Sequence, residues 1–256
     1  MTEKTGKPVW YELTTAPGAL SEAGAFYAQV LGWEISESGM EDVTYHLARA
    51  DGGMVAGLME PPAPEIPPGW LTYFAVTDCD LACDAIRDAG GALMHGPQEV
   101  PGTGRFALCA DPQGAAFGIL ESAPMEDGEG SRALARGRPG HAAWNELMTS
   151  DPEAALEFYE GLFGWEEAEA LNLGDGGLYQ TLTHDGVHMG AIMGLGKAPH
   201  PAWMTYFDVE NCIFAMERIV AAGGAVRAGP FEAPADLYVA IATDPQGVWF
   251  AVLGPR

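Results

Sequence analysis

Positive charge is what this sequence most clearly lacks. Its 256 residues include 12 lysines and arginines against 36 aspartates and glutamates, which gives a formal net charge of −24. Nucleic-acid binding requires a basic surface that meets the phosphate backbone, and this composition does not supply one. We therefore expect no nucleic-acid partner. An acidic surface most often serves solubility, and the less common alternative is that it attracts cationic ligands.

Cysteine and long apolar runs are also scarce. The four cysteines form no Cys-x-x-Cys pair, and Cys79 and Cys83 lie one helical turn apart, a spacing typical of helix packing. No apolar run approaches the roughly 20 residues of a membrane-spanning helix, and the first ten residues lack the apolar segment of a signal peptide. We therefore expect a reduced, cytoplasmic protein without a membrane partner.

Motifs of the common catalytic and nucleotide-binding folds are missing too. The sequence shows no Ser-His-Asp set, no phosphate-binding glycine loop and no dinucleotide fingerprint. His184 and His188 flank a turn and are expected to point to different faces, and His95 has no partner at ligand spacing. The histidines therefore do not predict a metal centre.

What the sequence does contain is a long internal repeat, in which several phrases occur twice in the same order. The pairs are WYELTT (10–15) and WNELMT (144–149), FYAQVLGW (26–33) and FYEGLFGW (158–165), and DPQG (111–114) and DPQG (244–247). Between the copies lies a stretch rich in charge, Gly and Pro without apolar periodicity. We predict two homologous modules, residues 1–121 (module 1) and 140–256 (module 2), joined by an exposed linker at 122–139.

Each module is expected to contain two β-α-β-β-β units. WNELMT alternates as a strand does, and the next segment begins a helix with Asp151 as N-cap and Gly164 as its stop. Asp185 and Gly186 mark a hairpin turn between two later strands. The second unit repeats the pattern, with a helix over Asp80–Ala89 in module 1. The predicted fold class is α+β, with two tandem modules of paired units.

Four such units resemble the vicinal oxygen chelate superfamily, which includes glyoxalases, bleomycin-resistance proteins and extradiol dioxygenases. The resemblance rests on the FYAQVLGW and FYEGLFGW helices and on the DPQG that precedes each final strand. It implies mixed sheets that curl around a cavity, and tandem modules similar to a fused homodimer. Which half-modules pair, and whether the chain is a monomer or a homodimer, stay open.

Metal-dependent members of that superfamily hold a divalent ion with His and Glu side chains from four strands. The corresponding positions are Trp10, Gly57, Thr72 and Gly118 in module 1 and Trp144, Ala191, Thr205 and Ala251 in module 2. Indole, a lone hydroxyl and aliphatic groups are poor ligands for such an ion. The resemblance therefore predicts the fold without the superfamily's metal site, and no cofactor is expected.

The repeated opening phrase supplies the candidate site. Residues two apart in a strand share a face, so Trp10 and Glu12, and likewise Trp144 and Glu146, are expected to face the cavities together. The indole would bind an aromatic or cationic molecule, and a shielded carboxylate would act as a counter-ion or a catalytic base. The structural alternative is that the Trp fills the space of the metal and that the Glu is held by backbone N–H groups or by a neighbouring Arg.

Six further residues are candidates for lining the ligand cavities. Thr72, Thr205, Phe74 and Phe207 would share the cavity face of their strands, and Arg105 and Tyr238 would meet an anionic group at the cavity mouth. The alternative for Arg105 is an ordinary exposed loop. These positions follow from counting along the superfamily pattern, so they depend on the phase of each strand.

Several functions remain open. The first is metal-independent binding of a small aromatic or cationic molecule, as in drug or metabolite sequestration. The second is a metal-independent isomerase, lyase or cyclase in which Glu12 or Glu146 is the base. A metal-dependent glyoxalase or dioxygenase requires a different strand register, and a pure interaction module would fill its pockets with its own side chains. The sequence does not decide whether the protein is an enzyme.

Overall fold

The computed structural model describes residues 5–40, 43–123, 130–174 and 177–256. These residues form four helices and sixteen strands in two eight-stranded mixed sheets. The helices are α1 (Leu20–Leu31), α2 (Cys79–Asp88), α3 (Pro152–Phe163) and α4 (Cys212–Ala221). The α+β fold class is confirmed, and so is the order of strand, helix and three strands, which occurs four times.

Each module contributes one sheet. The strands of module 1 are β1 (Pro8–Thr14), β2 (Glu34–Glu37), β3 (Tyr45–Ala50), β4 (Gly53–Met59), β5 (Gly69–Ala75), β6 (Ala92–Val100), β7 (Gly104–Ala110) and β8 (Ala116–Ser122), in the order β2-β3-β4-β1-β5-β8-β7-β6. The strands of module 2 are β9 (Ala142–Thr149), β10 (Glu166–Asn172), β11 (Leu178–His184), β12 (Val187–Gly194), β13 (Ala202–Asp208), β14 (Ala225–Ala233), β15 (Leu237–Thr243) and β16 (Trp249–Pro255), in the order β10-β11-β12-β9-β13-β16-β15-β14. The two sheets therefore have the same topology.

Local sequence signals set the ends of the helices. The side chains of Asp78, Asp151 and Asn211 each accept a hydrogen bond from the backbone N–H three residues later, and so cap α2, α3 and α4. Gly164 ends α3 in the left-handed conformation, with φ of 66°, which glycine adopts without strain. The predicted start and end of α3 are thus confirmed. The Asp185-Gly186 hairpin turn is also confirmed, with φ of 51° and 74°.

The chain divides into two compact units that cut across the modules. Unit 1 comprises Met1–Val9, Thr72–Ser131 and Asn145–Trp203, and unit 2 comprises Trp10–Leu71, Arg132–Trp144 and Met204–Arg256. Unit 1 thus combines the second half of module 1 with the first half of module 2, and unit 2 combines the other two halves. This pairing is the arrangement that the sequence left open.

Unit 2 has a core that contains α1, α4 and the helix-facing sides of its strands. At its centre the hydroxyl of Tyr27 accepts a hydrogen bond from Nε1 of Trp70 at 2.9 Å and donates one to Oδ2 of Asp244 at 3.3 Å. Asp244 begins the second DPQG turn, and its other carboxylate oxygen accepts two backbone N–H groups of that turn. The DPQG motif is therefore fixed to α1 through a buried tyrosine.

Unit 1 repeats this arrangement with its own residues. Nε1 of Trp203 donates to the hydroxyl of Tyr159 at 3.0 Å, and that hydroxyl donates to Oδ2 of Asp111 at 3.2 Å. Burial is the largest influence on Asp111 and raises the pKa of its carboxyl, against the opposing effect of its hydrogen bonds. The same Trp–Tyr–Asp set therefore ties the first DPQG turn to α3.

The segment expected to be an exposed linker is partly buried. Ala133 is fully buried in the core of unit 2, and Leu134 packs against that core and forms a β-bridge with Ala142. The prediction of exposure is wrong at Ala133 and Leu134, because two apolar residues among arginines are too few to show a periodic pattern. Residues 124–129 of the predicted linker lie outside the described residues. No helix in the described part of the chain is long and apolar enough to cross a membrane.

Candidate binding site

The strands have one face toward the helices and one face away from them, which we call the distal face. In β1, Tyr11 and Leu13 are fully buried in the core of unit 2. Trp10 and Glu12 alternate with them and therefore point to the distal face, where both are partly exposed. Strand β4 runs parallel to β1 and pairs Gly57 with Glu12. The structure thus brings the predicted Trp and Glu onto one face.

Tyr45 on β3 connects the two. Nε1–H of Trp10 donates to the Tyr45 hydroxyl at 2.9 Å, and this hydroxyl donates to Oε2 of Glu12, also at 2.9 Å. We call Trp10, Tyr45 and Glu12 the triad. Burial, followed by the negative charge of Glu12, raises the pKa of Tyr45 well above its usual value. Tyr45 is therefore a neutral phenol at physiological pH, and its proton is directed at the carboxylate.

Gly57 makes room for the triad. A Cβ atom at position 57 would overlap the hydroxyl and ring of Tyr45. Position 57 is also where the superfamily pattern places a metal-binding glutamate. In module 1 the phenol of Tyr45 therefore takes the space beside β4 into which that glutamate would project.

Module 2 repeats the three residue types of the triad. Trp144, Glu146 and Tyr179 follow Trp10, Glu12 and Tyr45 at one constant offset of 134 residues. Within unit 1, Ala191 pairs with Glu146 on β9 and with Thr181 on β11, which is the register of Gly57 in module 1. Ala191 therefore carries a methyl group at the position where Gly57 leaves space for Tyr45 in module 1.

Trp144 contacts a cation from the preceding segment. The guanidinium carbon of Arg136 lies 4.4 Å from the centre of the Trp144 ring, and its Nε–H donates to the carbonyl of Ala143 at 3.0 Å. The next residue, Gly137, donates its backbone N–H to the buried carboxylate of Asp208. Burial raises the pKa of Asp208. The backbone N–H groups of Gly137 and Arg138 and the charge of Arg136 oppose that effect. Trp144 therefore lies beside a cation from the segment that precedes its strand.

The structure corrects the predicted face of β5 and β13. Phe74 lies in the core of unit 1 and Phe207 in the core of unit 2, each among other aromatic rings. Thr72 and Thr205, two residues earlier, are each 1% exposed and share the helix-facing side by strand alternation. The expectation that these four residues line the cavity is wrong, because counting from the helices placed the strand one residue out of phase.

The distal positions of these strands are Tyr73 and Tyr206, which the sequence analysis missed. Tyr73 pairs with Gly118 on β8, and a Cβ atom at position 118 would overlap the Tyr73 ring. Tyr206 pairs with Ala251 on β16. A glycine that lies beneath a tyrosine in module 1 is therefore again an alanine in module 2. The signal that could have identified Tyr45 was its repetition at the offset shared by the Trp and the Glu.

Arg105 and Tyr238 also lie on the helix side. Both terminal nitrogens of Arg105 donate to the carboxylate of Asp80 in the first turn of α2, at 2.5 and 3.1 Å. This contact lowers the pKa of Asp80. Tyr238 packs against the core of unit 2, and the guanidinium carbon of Arg256 lies 5.6 Å from its ring centre. The expected role of Arg105 and Tyr238 at a cavity mouth is therefore wrong, because both strands turn these side chains toward the helices.

The side chains at the superfamily's metal positions do not fit a divalent ion. In module 1 the distal face offers an indole, two glycines and the phenol of Tyr73 at these four places, and Oε2 of Glu12 already accepts a hydrogen bond from Tyr45. Imidazole and carboxylate ligands are what such an ion requires. Within the described ranges, no three or more His, Cys, Asp or Glu side chains are grouped so that they could hold a metal ion.

Two relatives in sequence cover almost the whole chain. A protein named "Putative glyoxylase CFP32" from Mycobacterium tuberculosis (strain CDC 1551 / Oshkosh) is 32% identical over 261 residues, which covers 98% of this chain and 96% of that protein. A protein named "Anthracycline biosynthesis protein DauV" from Streptomyces sp. (strain C5) is 31% identical over 277 residues, which covers 98% and 94%.

Solved structures show the same fold. The Mn(II)-bound glyoxalase from Novosphingobium aromaticivorans superposes with a TM-score of 0.66 at 19% identity, covering 99% of this chain and 83% of that one. The 2,3-dioxygenase LapB from Pseudomonas sp. KL28 superposes with a TM-score of 0.69 at 16% identity, covering 98% and 93%. At these identities the likeness establishes the fold alone.

A family model assigns both modules. The model described as Glyoxalase/Bleomycin resistance protein/Dioxygenase superfamily matches residues 13–119 and again 138–252. These two ranges coincide with the two eight-stranded sheets and their helices. The resemblance inferred from the repeated motifs is therefore confirmed, and the chain belongs to the glyoxalase/bleomycin resistance protein/dioxygenase superfamily, with one copy of the domain in each module.

Proposed function

We propose that this protein binds a small aromatic or cationic organic molecule on the distal face of module 1, without a metal ion. The observation that carries the proposal is the triad, in which Tyr45 hydrogen-bonds both Trp10 and Glu12 at 2.9 Å. The triad holds an apolar ring and a carboxylate side by side in a partly exposed place. A flat molecule with a positive group matches both.

The triad favours binding because its side chains are held in place before a ligand arrives. A free indole and a free carboxylate would lose rotamer freedom on binding, at a cost of about 0.5–1.5 kcal/mol per side chain. Here Tyr45 fixes the indole nitrogen of Trp10 and one oxygen of Glu12. The ring face of Trp10 then serves stacking or a cation–π contact. The net charge of −24 adds a long-range attraction for cations.

The names of the relatives support a ligand of this class. One relative is named for anthracycline biosynthesis, and the superfamily description includes bleomycin resistance. Anthracyclines are planar hydroxylated tetracycles that carry an amino sugar, so they combine a stacking surface with a cation. We therefore propose such a molecule, or a metabolite of similar chemistry, as the ligand.

Isothermal titration calorimetry with three probes tests the proposal. Daunorubicin and 9-aminoacridine are planar cations, and anthraquinone-2-sulfonate is a planar anion of similar size. We expect saturable binding of the two cations and much weaker binding of the anion. Glu12→Gln should weaken the cations about tenfold, which corresponds to the loss of one charge-assisted contact. Glu22→Gln, at an exposed position on α1, is the matched control.

Two results would contradict the proposal. One is the absence of saturable binding for all three probes. The other is equal affinity of the wild type and the Glu12→Gln variant for both cations, since the carboxylate would then have no part in recognition. Trp10→Phe separates stacking from charge, because phenylalanine keeps a ring but removes the indole N–H that Tyr45 accepts.

The Tyr45–Glu12 hydrogen bond also favours a second candidate function. In a metal-independent isomerase, lyase or cyclase, Glu12 would take a proton from a carbon next to a carbonyl group, and Tyr45 would hold the carboxylate in position. Hydrogen–deuterium exchange of small ketones and aldehydes in D₂O, followed by NMR, measures this step directly. Full exchange activity in the Glu12→Gln, Glu146→Gln double variant would eliminate this function.

We also propose a reducing, cytoplasmic location for this protein. All four cysteines are free and buried, as is usual where thiols are kept reduced. Fractionation of cells that express the untagged chain tests this, and recovery in the secreted or membrane fraction would contradict it.

A further inference from the structure

His95 and Gln98 on β6 form a polar pair on the distal face of unit 1, separate from the triad. Nε2 of His95 lies 2.7 Å from Oε1 of Gln98. Both side chains are exposed. Residues three apart in a regular strand point to opposite faces, so this contact requires an irregularity in β6.

A β-bulge supplies the irregularity. His95 pairs with Leu108 and Gln98 with Phe106, so three steps along β6 face two steps along β7. An extra residue of this kind re-aims the side chains that flank it. Gly96 lies within the bulge at φ of 90°, and a Cβ atom there would come within 2.8 Å of the Phe106 carbonyl oxygen. Glycine at 96 therefore permits the bulge that brings His95 and Gln98 together.

The pair stands beside an aromatic surface. Leu108 pairs in turn with Gly118, and Gly118 pairs with Tyr73, so His95 shares its face with Tyr73. The Phe106 ring lies 6.0 Å from the His95 ring, with 33° between the planes, and 6.3 Å from the Tyr73 ring. Phe106 is partly exposed whereas Tyr73 is buried, and an apolar ring beside one or two fixed polar groups is typical of a small-molecule site.

The hydrogen bond to Gln98 also fixes what His95 offers. An amide oxygen only accepts, so Nε2 of His95 carries the hydrogen in this pair. In the neutral imidazole the other nitrogen, Nδ1, is then an acceptor. A molecule bound here would therefore satisfy His95 by donating a hydrogen bond to Nδ1.

Module 2 shows that the fold does not need this pair. Its β14 contains the same bulge, in which Ala228 pairs with Ile241 and Phe231 with Val239. These residues correspond to His95 and Gln98 and their partners at the offset of 133. The bulge thus forms with Ala and Phe at these places. The polar pair of module 1 is an addition to a bulge that is stable without it.

We propose that His95 and Gln98 form a binding site for neutral hydroxyarenes, in which a phenolic O–H donates to Nδ1 of His95 and the aromatic ring packs against Phe106. This site goes beyond the cation-binding role proposed for the triad, since it lies wholly within unit 1 and selects a hydrogen-bond donor instead of a charge. Gln98 is the positioning residue, because it sets the tautomer of His95.

Two probes of nearly equal shape test the site. 2-Naphthol carries the required hydroxyl, and 2-methoxynaphthalene has the same ring system without the donor. Long-range ¹H–¹⁵N correlation spectra of the wild-type protein report the state of each imidazole nitrogen. We expect saturating 2-naphthol to shift the Nδ1 resonance of His95, and 2-methoxynaphthalene to leave it in place.

Affinities of variants provide the second measurement. His95→Ala recreates the residue of module 2 and should fold, and we expect it to weaken 2-naphthol about fivefold, as the loss of one neutral hydrogen bond predicts. Binding of 2-methoxynaphthalene should stay unchanged. Gln98→Ala should weaken the binding of 2-naphthol less than His95→Ala does. The variant keeps Nδ1 of His95 and only releases the tautomer that Gln98 fixes. His200→Ala, at another exposed histidine of unit 1, is the matched control and should have no effect.

Three results would overturn the proposal. They are an unshifted Nδ1 resonance at saturating 2-naphthol, equal losses of affinity for both probes in His95→Ala, and no binding of either probe by the wild type. The readout is the His95 nitrogen with a neutral probe, whereas the triad is read with cations on Glu12→Gln. A negative result for one of the two proposals therefore does not decide the other.

Discussion

The two modules share a scaffold, yet they differ by single methyl groups beneath their tyrosines. In module 1, Gly57 and Gly118 leave space that Tyr45 and Tyr73 fill. In module 2 both glycines are replaced by alanine, in strands of the same register. The helix-facing sides show the opposite behaviour, because each unit keeps its own Trp–Tyr–Asp set. The Trp–Tyr–Asp set is therefore common to both units, whereas the residues beneath the two tyrosines differ between the modules.

This contrast bears on ligand preference, because the two modules differ on the face proposed to bind a ligand. A core position that loses a hydrogen bond or gains a methyl group costs stability, which restricts change there. Module 1 has the His95–Gln98 pair, whereas module 2 has Ala228 and Phe231 at the corresponding bulge. We expect the two modules to prefer different ligands.

The largest effect on stability is expected from exchanging the glycine and alanine that lie beneath the tyrosines of the two modules. Gly57→Ala places a methyl group in the space of Tyr45 and should lower the free energy of unfolding by about 3 kcal/mol, the upper end for overpacking. The mirror change, Ala191→Gly, removes a methyl group and should cost about 1 kcal/mol. Urea denaturation measures both. A smaller loss for Gly57→Ala than for Ala191→Gly would show that Tyr45 is not tightly fitted.

A second prediction concerns the feature that the two units share. Asp111→Asn and Asp244→Asn each replace a charged acceptor for a buried tyrosine, so each should cost about 2 kcal/mol at pH 7. The two losses, from thermal unfolding, should agree within about 0.5 kcal/mol, because the two carboxylates accept equivalent hydrogen bonds. Clearly unequal losses would show that the two cores have diverged as the distal faces have.

The pH dependence of these variants follows from the same burial. Burial raises the pKa of Asp111 and Asp244 in the folded state, so the folded protein binds these protons more tightly than the unfolded chain does. The contribution of each carboxyl to stability therefore falls as pH rises from the unfolded value, near 3.8, through the raised folded value. The Asn variants should lose less stability than the wild type across that range, and an identical pH profile would contradict this.

A third prediction concerns the hydroxyl at the centre of the triad. Tyr45→Phe keeps the ring but leaves Trp10 Nε1 and Glu12 Oε2 without their shared partner, so it should cost about 1 kcal/mol. The indole N–H resonance of Trp10 should move in the proton NMR spectrum. Its assignment is checked by its absence from Trp10→Phe. An unmoved Trp10 resonance would show that the hydrogen bond is not formed in solution.

The smallest effect is expected on the helix side of module 1. Arg105→Ala removes an exposed ion pair with Asp80 and should leave the free energy of unfolding nearly unchanged, most closely so at high salt, where exposed charges are screened. Because Arg105 faces α2, this variant should bind daunorubicin and anthraquinone-2-sulfonate as the wild type does. A selective loss of the anionic probe would place Arg105 at the ligand after all.

Much of the architecture was predictable because its signals are local. The repeat gave two modules, capping residues such as Asp151 and stops such as Gly164 gave helix ends, and Asp185-Gly186 gave a hairpin. Each of these depends on a few consecutive residues and their backbone angles. The placement of Trp10 and Glu12 on one face was equally accessible, since β1 alternates polar and apolar side chains.

Which residues of β5 and β13 face the helices could not be predicted in this way. The segment GWLTYFA carries large apolar residues on both sides, with Trp70 and Phe74 on one and Leu71 and Tyr73 on the other. Alternation then gives the period of the strand but not its phase. The pairing of Tyr73 with Gly118 settles the phase, and that pairing joins segments more than 40 residues apart. The contact of His95 with Gln98 was hidden for a related reason, because a bulge changes which residues share a face.

The sequence by itself determined the duplicated β-α-β-β-β plan, the acidic composition, the poor fit of the superfamily's ligand positions to a metal ion and the Trp–Glu phrase at each opening strand. Tertiary structure alone decided which half-modules form each compact unit, which tyrosine completes the triad, and which face of β5 looks away from the helices. The physical reason is the separation along the chain of the residues that determine each feature. Caps, turns and strand periods depend on neighbours along the chain, whereas strand phase and side-chain partners depend on register between distant strands and on the space that a single glycine leaves.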